Sequence, residues 1–191
     1  NDTLHGDFET FDVVGKTIFK GHYDMGVKTG TWKEFYETGK LYEISHYHKD
    51  QSDSVWVAFF QDGDTISVRS YDEGTPVGVW RFYHENGRLF EKYSYENGWL
   101  EGDYEKKFSN GKPEVQGFYK NGLKVGNWRY YNSNGYIIEE GKYKDGEQNH
   151  QQKIDYPRTM QLFQNHSIKK NNPFILFHCF EIAGYRQKMH K

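Results

Sequence analysis

Short runs of aromatic and aliphatic residues alternate along this chain with tight-turn signals. The stretch "GFYKNGLKVGNWRYYNSNG" (117–135) shows the pattern, with Asn-Gly pairs separating ring-rich segments. Asn and Gly at such places supply the positive φ that tight hairpin turns demand. Shifted by 24 residues, the chain aligns with itself without gaps for six units, beginning near residues 6, 30, 54, 78, 102 and 126. Tyr recurs at Tyr23, Tyr47, Tyr71, Tyr95, Tyr119 and Tyr143, and a ring stands at Phe8, Trp32, Trp56, Trp80, Tyr104 and Trp128. One glycine column, Gly15, Gly39, Gly63, Gly87, Gly111 and Gly135, is unbroken, which assigns it a structural role in turns.

Each unit therefore reads as strand, turn, strand, turn, which is one β-hairpin. A lone hairpin is marginal in water, so successive hairpins must pair edge to edge to bury their rings and satisfy their backbone groups. The predicted fold is all-β, an elongated, twisted, single-layer antiparallel meander of about six hairpins. Two units depart from the pattern. The unit at 54–77 opens with Ser54 and follows Asp50 where glycine is expected, and the unit at 102–125 has Tyr104 for Trp and Lys107 for a second ring.

Composition agrees with this reading. Only 35% of residues are hydrophobic while 18% are aromatic, so apolar burial rests on flat rings suited to a pleated surface. Cys179, the single cysteine, allows no internal disulfide. No apolar run reaches the ~18 residues of a membrane-spanning helix. The chain starts at Asn1 rather than Met, which leans the expectation towards a secreted or periplasmic location and leaves a cytoplasmic one open.

The stretches "GVWRFYHENGRLFEKYSYENG" (78–98) and "GNWRYYNSNGYIIEEGKYKDG" (126–146) resemble the MORN repeat variant of bacterial proteins, including those of the YwqK type labelled as antitoxin components. The resemblance covers about residues 6–149. It implies a β-hairpin array and, by association, neutralisation of a partner toxin.

The repeat stops at 149, where His150 and Gln152 replace the expected Gly and Trp. Residues 150–191 carry seven Lys and Arg against two acidic residues, a charge of +5, and the formal net charge of −2 leaves −7 on residues 1–149. Within this basic tail "PFILFHCFEIAG" (173–184) suits a cap for the last sheet edge, and a loosely ordered tail is the alternative.

Nothing in the chain assembles into catalytic chemistry. His22 and His46 share a column with His48 nearby, but the column continues Ser70, Ser94, Phe118, Lys142, so no metal set converges. Cys179 and His178 are adjacent and point apart in a strand, and Glu139-Glu140 suffers the same objection. The triplets at Asn1 and Asn165 match a glycosylation pattern that is common by chance. The expectation is a non-enzyme with no cofactor and no metal.

What remains is binding. Most rings of the ladder are expected to pack as the core of the single-layer sheet, each covering the next. Because no second layer hides both faces, some are expected on a concave contact surface, the candidates being Trp32, Trp56, Trp80, Tyr104 and Trp128 with Tyr47, Tyr71, Tyr95, Tyr119 and Tyr143. A protein partner fits best, with glycan or lipid as alternatives. The acidic repeats argue against nucleic acid. Charge also changes along one column, Asp24, His48, Asp72, Glu96, Lys120, Lys144, acidic at one end and basic at the other.

Overall fold

The computed structural model describes residues 3–153. The first hairpins comprise β1 (Gly6–Phe11), β2 (Thr17–Asp24), β3 (Val27–Phe35), β4 (Leu41–His48) and β5 (Gln51–Ser52). The middle holds β6 (Ser54–Phe59), β7 (Thr65–Asp72), β8 (Thr75–Tyr83), β9 (Leu89–Glu96) and β10 (Trp99–Leu100). The last are β11 (Gly102–Lys107), β12 (Pro113–Lys120), β13 (Leu123–Tyr131), β14 (Ile137–Lys144) and β15 (Glu147–Lys153). They form one open antiparallel sheet whose strand order follows the chain, with β5 and β10 as side pairings of β4 and β9. The described residues contain no helix.

Two kinds of turn alternate, one along each edge of the sheet. On the first edge, two-residue turns such as Met25-Gly26, Asn97-Gly98 and Asn121-Gly122 place both residues at positive φ, the geometry that matches the twist of the flanking strands. These turns are also bonded to one another: Gly26 N–H donates to the Leu4 carbonyl at 2.7 Å and Gly122 N–H to that of Leu100 at 2.8 Å. The second edge carries Gly39, Gly63, Gly87, Gly111 and Gly135, all at positive φ. Side chains link these turns across units, Lys16 Nζ donating to the Glu37 carbonyl at 2.9 Å and Lys112 Nζ to that of Asn134 at 2.9 Å.

The unit at 54–77 keeps the same path although Asp50 before it and Ser54 at its start stand in place of glycines. Asp50 sits at φ 66° and Ser54 at φ 58°, left-handed conformations that an L-residue adopts at a cost of about 1 kcal/mol. Asp50 offsets that cost locally, because its carboxylate accepts the Lys28 backbone N–H at 2.6 Å.

Successive hairpins are not identical. The strands β3, β8 and β13 run unbroken through nine residues and start at Val27, Thr75 and Leu123, 48 residues apart. The strands between them break at Asp53 and at Glu101, whose N–H groups turn back to the His46 and Ser94 carbonyls. The structural period in this region is thus two sequence units.

At the C-terminal end β15 crosses residue 149 and pairs with β14 through Lys153. The rest of the tail, including 173–184 and the proposed cap, lies outside the described residues.

Candidate interaction surface

Cross-strand register places the Trp and Tyr columns on one face of the sheet, the inner face. Gly30 opposes Tyr47 and Trp32 opposes Ser45, and residues directly paired across antiparallel strands share a face. The rings join into a ladder from Phe8 through Tyr23, Trp32, Tyr47, Trp56, Tyr71, Trp80 and Tyr95, then through Tyr93 to Tyr104, Tyr119, Trp128 and Tyr143. Successive centroids lie between 4.9 Å, as for Trp80 and Tyr95, and 6.2 Å, as for Trp32 and Tyr47, mostly tilted or edge to face.

Most of this ladder is core. Trp32, Trp80 and Trp128 retain only 4%, 2% and 1% of their surface, and Trp56, Tyr104 and the five tyrosines from Tyr47 to Tyr143 are half-buried. Three of the expected contact residues thus have almost no surface to offer.

How each indole is seated depends on the residue eleven positions before it. Opposite Trp32 the chain has Gly21, and opposite Trp128 it has Gly117; a Cβ on either glycine would fall 2.2 Å from the indole Cδ2. The ring lies directly on the glycine backbone. Lys28 Nζ stands 4.4 Å from the Trp32 centroid and Lys124 Nζ 4.1 Å from that of Trp128, a cation–π cover that completes their burial. Where the floor residue is Ser45 or Arg69 the indole N–H finds a carbonyl instead, Trp56 Nε1 donating to His46 at 3.0 Å and Trp80 Nε1 to Ser70 at 3.1 Å. Where the floor is itself a ring, Tyr93, the indole is replaced by the smaller Tyr104, and the two stack at 6.2 Å and 17°.

Charged groups complete the inner face. The Tyr104 hydroxyl donates to the buried Glu91 carboxylate, and burial, reinforced by the Glu91 charge, pushes the phenol far above its ordinary range. Burial also pushes Tyr119 up to about 12. Arg69 pairs with Glu43 and lies 5.6 Å from the Trp56 centroid. Neither Glu91 nor Glu43 was singled out as functional from the sequence; the visible signal is that Glu43, Glu91 and Glu139 recur every second unit.

The histidines of the shared column lie on the opposite, outer face. His22 Nδ1 is 3.0 Å from Asp7 and His46 Nδ1 3.1 Å from the Thr31 hydroxyl. Among the described residues no group of three or more His, Cys, Asp or Glu could hold a metal ion.

This outer face also holds several of the exposed apolar side chains, whereas Phe19, 39% accessible, shares the inner face through its pairing with Thr10 and Glu34. Val55, Val79, Trp99, Phe118 and Leu123 remain between 38% and 47% accessible, Val79 the least and Leu123 the most. Cross-strand neighbours join several of them: Val55, Ser70 and Val77 run across three strands, as do Asp103, Phe118 and Val125. Trp99 leans on Gly122, the turn glycine of the next unit, and Leu123 leans on Gly146 in the same way. All six residues of the charge column, from Asp24 to Lys144, are exposed at the strand ends along the same edge.

No helix among the described residues is long and apolar enough to cross a membrane. No curated protein matches this sequence. The family model for the MORN repeat variant matches residues 28–49, 76–99 and 100–121. These three segments, each a hairpin of the sheet, are thus similar to the MORN repeat variant, as the sequence resemblance implied.

Proposed function

We propose that this chain is a non-catalytic interaction module that binds a protein partner through the outer face of its hairpin array. The observation that carries the reading is the segregation of its apolar residues. The Trp column is spent on the core, while Val79, Trp99, Phe118 and Leu123 stay accessible on the other face, beside charged residues. A core of apolar contacts inside a polar rim is the usual anatomy of a protein interface. MORN repeats commonly serve in protein and membrane interaction, and the resemblance to bacterial proteins labelled as antitoxin components supports a partner toxin as one such protein.

The test is capture from the native host with the full chain as bait, beside a Trp99→Asp, Phe118→Asp variant shown by circular dichroism to keep its fold. A stoichiometric protein retained by the first and lost from the second supports the reading. Equal capture by both removes the outer face from the interface. Co-sedimentation with anionic vesicles, released by salt, or retention on a sugar array would replace the protein partner with lipid or glycan.

A further inference from the structure

We infer that the outer face around β9 to β13 is where two copies of this chain associate, face to face and antiparallel. The inference rests on the reading of the outer face as a contact surface and gives that face a second copy of the chain as its occupant where no other partner is bound.

The charge column carries the argument. Asp72 ends β7, Glu96 ends β9, Lys120 ends β12 and Lys144 ends β14. All four are exposed, and among the described residues none has a side-chain hydrogen bond or ion pair. In the sheet these strands are arranged evenly about β11: β9 and β12 flank it, and β7 and β14 lie three places away on either side. A two-fold axis parallel to the strands through β11 therefore brings Glu96 against Lys120 of the second copy and Asp72 against Lys144 of the second copy, each pair formed twice. The same operation keeps the two-residue-turn edge over its own counterpart, because an axis along the strands preserves position along them.

The apolar residues sit where this operation needs them. Trp99, on β10, pairs with Glu96 across the turn and lies close to the axis, facing its own equivalent. Its ring rests on Gly122 on one side and is 39% exposed on the other. Phe118 on β12 and Val79 on β8 flank it, both accessible. Asp103, near the axis, faces its own copy, and its cross-strand pairing with Phe118 leaves it in diagonal reach of Lys120. Only the antiparallel arrangement brings these charges together. The other face-to-face two-fold, with its axis along the row of strands, inverts position along them and carries Asp72, Glu96, Lys120 and Lys144 to the opposite edge, so none of these pairs forms. An isologous contact of this kind closes at two copies.

Sedimentation velocity of the full chain over a wide concentration range, at low and high salt, tests this directly. The expected result is a reversible dimer of twice the 22.7 kDa chain mass that weakens as salt rises. Lys120→Glu with Lys144→Glu should raise the dimer Kd at least ~10-fold, and adding Asp72→Lys with Glu96→Lys should restore it, since all four sites are solvent-exposed and the fold does not depend on them. Thermal melts of each variant confirm folding. A wild-type chain that stays monomeric, or a fourfold reversal no tighter than the Lys pair alone, overturns the inference. Monomeric wild type that still captures a host protein through Trp99 and Phe118 leaves the proposed function standing while this inference falls.

Discussion

A glycine and an indole decide the local structure at either end of the array. Gly117 has an ordinary φ, so its constraint is space alone: the Trp128 ring occupies the volume a methyl group would need. Gly117→Ala should therefore destabilise the fold by about 3 kcal/mol, as overpacking of a filled core does, and a denaturant melt with unchanged slope measures it. Gly39→Ala would act through φ instead, since nothing lies within 4 Å of its missing Cβ. The buried phenols set an alkaline limit. A tyrosine whose folded pKa is raised leaves stability intact below the unfolded value and removes it as pH climbs towards the folded one. With Tyr119 raised from 10.0 to about 12 and Tyr104 shifted in the same direction, stability should be flat up to about pH 10 and fall steeply above it. Urea melts across that range check the onset. Titration of all the tyrosines near pH 10 with no loss of stability would contradict the burial of these two.

At the scale of the hairpin, the turn recurs along the chain and its glycine is replaceable. Ser54 holds the left-handed conformation that Gly30, Gly78 and Gly126 hold in the same column, and there is open space around each of those three glycines. Ser54→Gly should accordingly stabilise the chain by roughly 0.5–1 kcal/mol, the left-handed penalty less the added freedom of the unfolded glycine, read as a rise in melting temperature. Much of this element was legible beforehand. The turns, the 24-residue unit and the shared face of the Trp and Tyr columns follow from residue spacing, because strand geometry alternates faces every residue whatever the tertiary context. The division of labour between the faces did not follow. Whether a ring is buried depends on what lies under and over it, and that is set by partners such as Gly21 and Lys28 on neighbouring positions of other columns. The clue present in the sequence was a trade in size, Gly21 before Trp32, Tyr93 before Tyr104, Gly117 before Trp128. The doubled period is also present in the sequence, in Glu43, Glu91 and Glu139, but the stronger 24-residue echo of the rings and glycines masks it.

At the scale of the whole array, consecutive hairpins contact their neighbours along a single sheet, so stability spreads through nearest-neighbour contacts rather than through one central core. That arrangement leaves two long faces with different duties, one packed with rings and one bearing Val79, Trp99, Phe118 and Leu123 among charges. Association through the second face would cost the fold nothing, because none of its apolar residues belongs to the ladder. Hydroxyl-radical footprinting of the full chain, free and under conditions where it associates, measures this division most directly. Trp99, Phe118 and Leu123 should be modified readily in the free chain and protected on association, while Trp32, Trp80 and Trp128 stay unmodified in both. Strong modification of Trp32, Trp80 and Trp128 in the free chain, lost on association, would instead make the ring ladder the contact surface and contradict the assignment of the two faces.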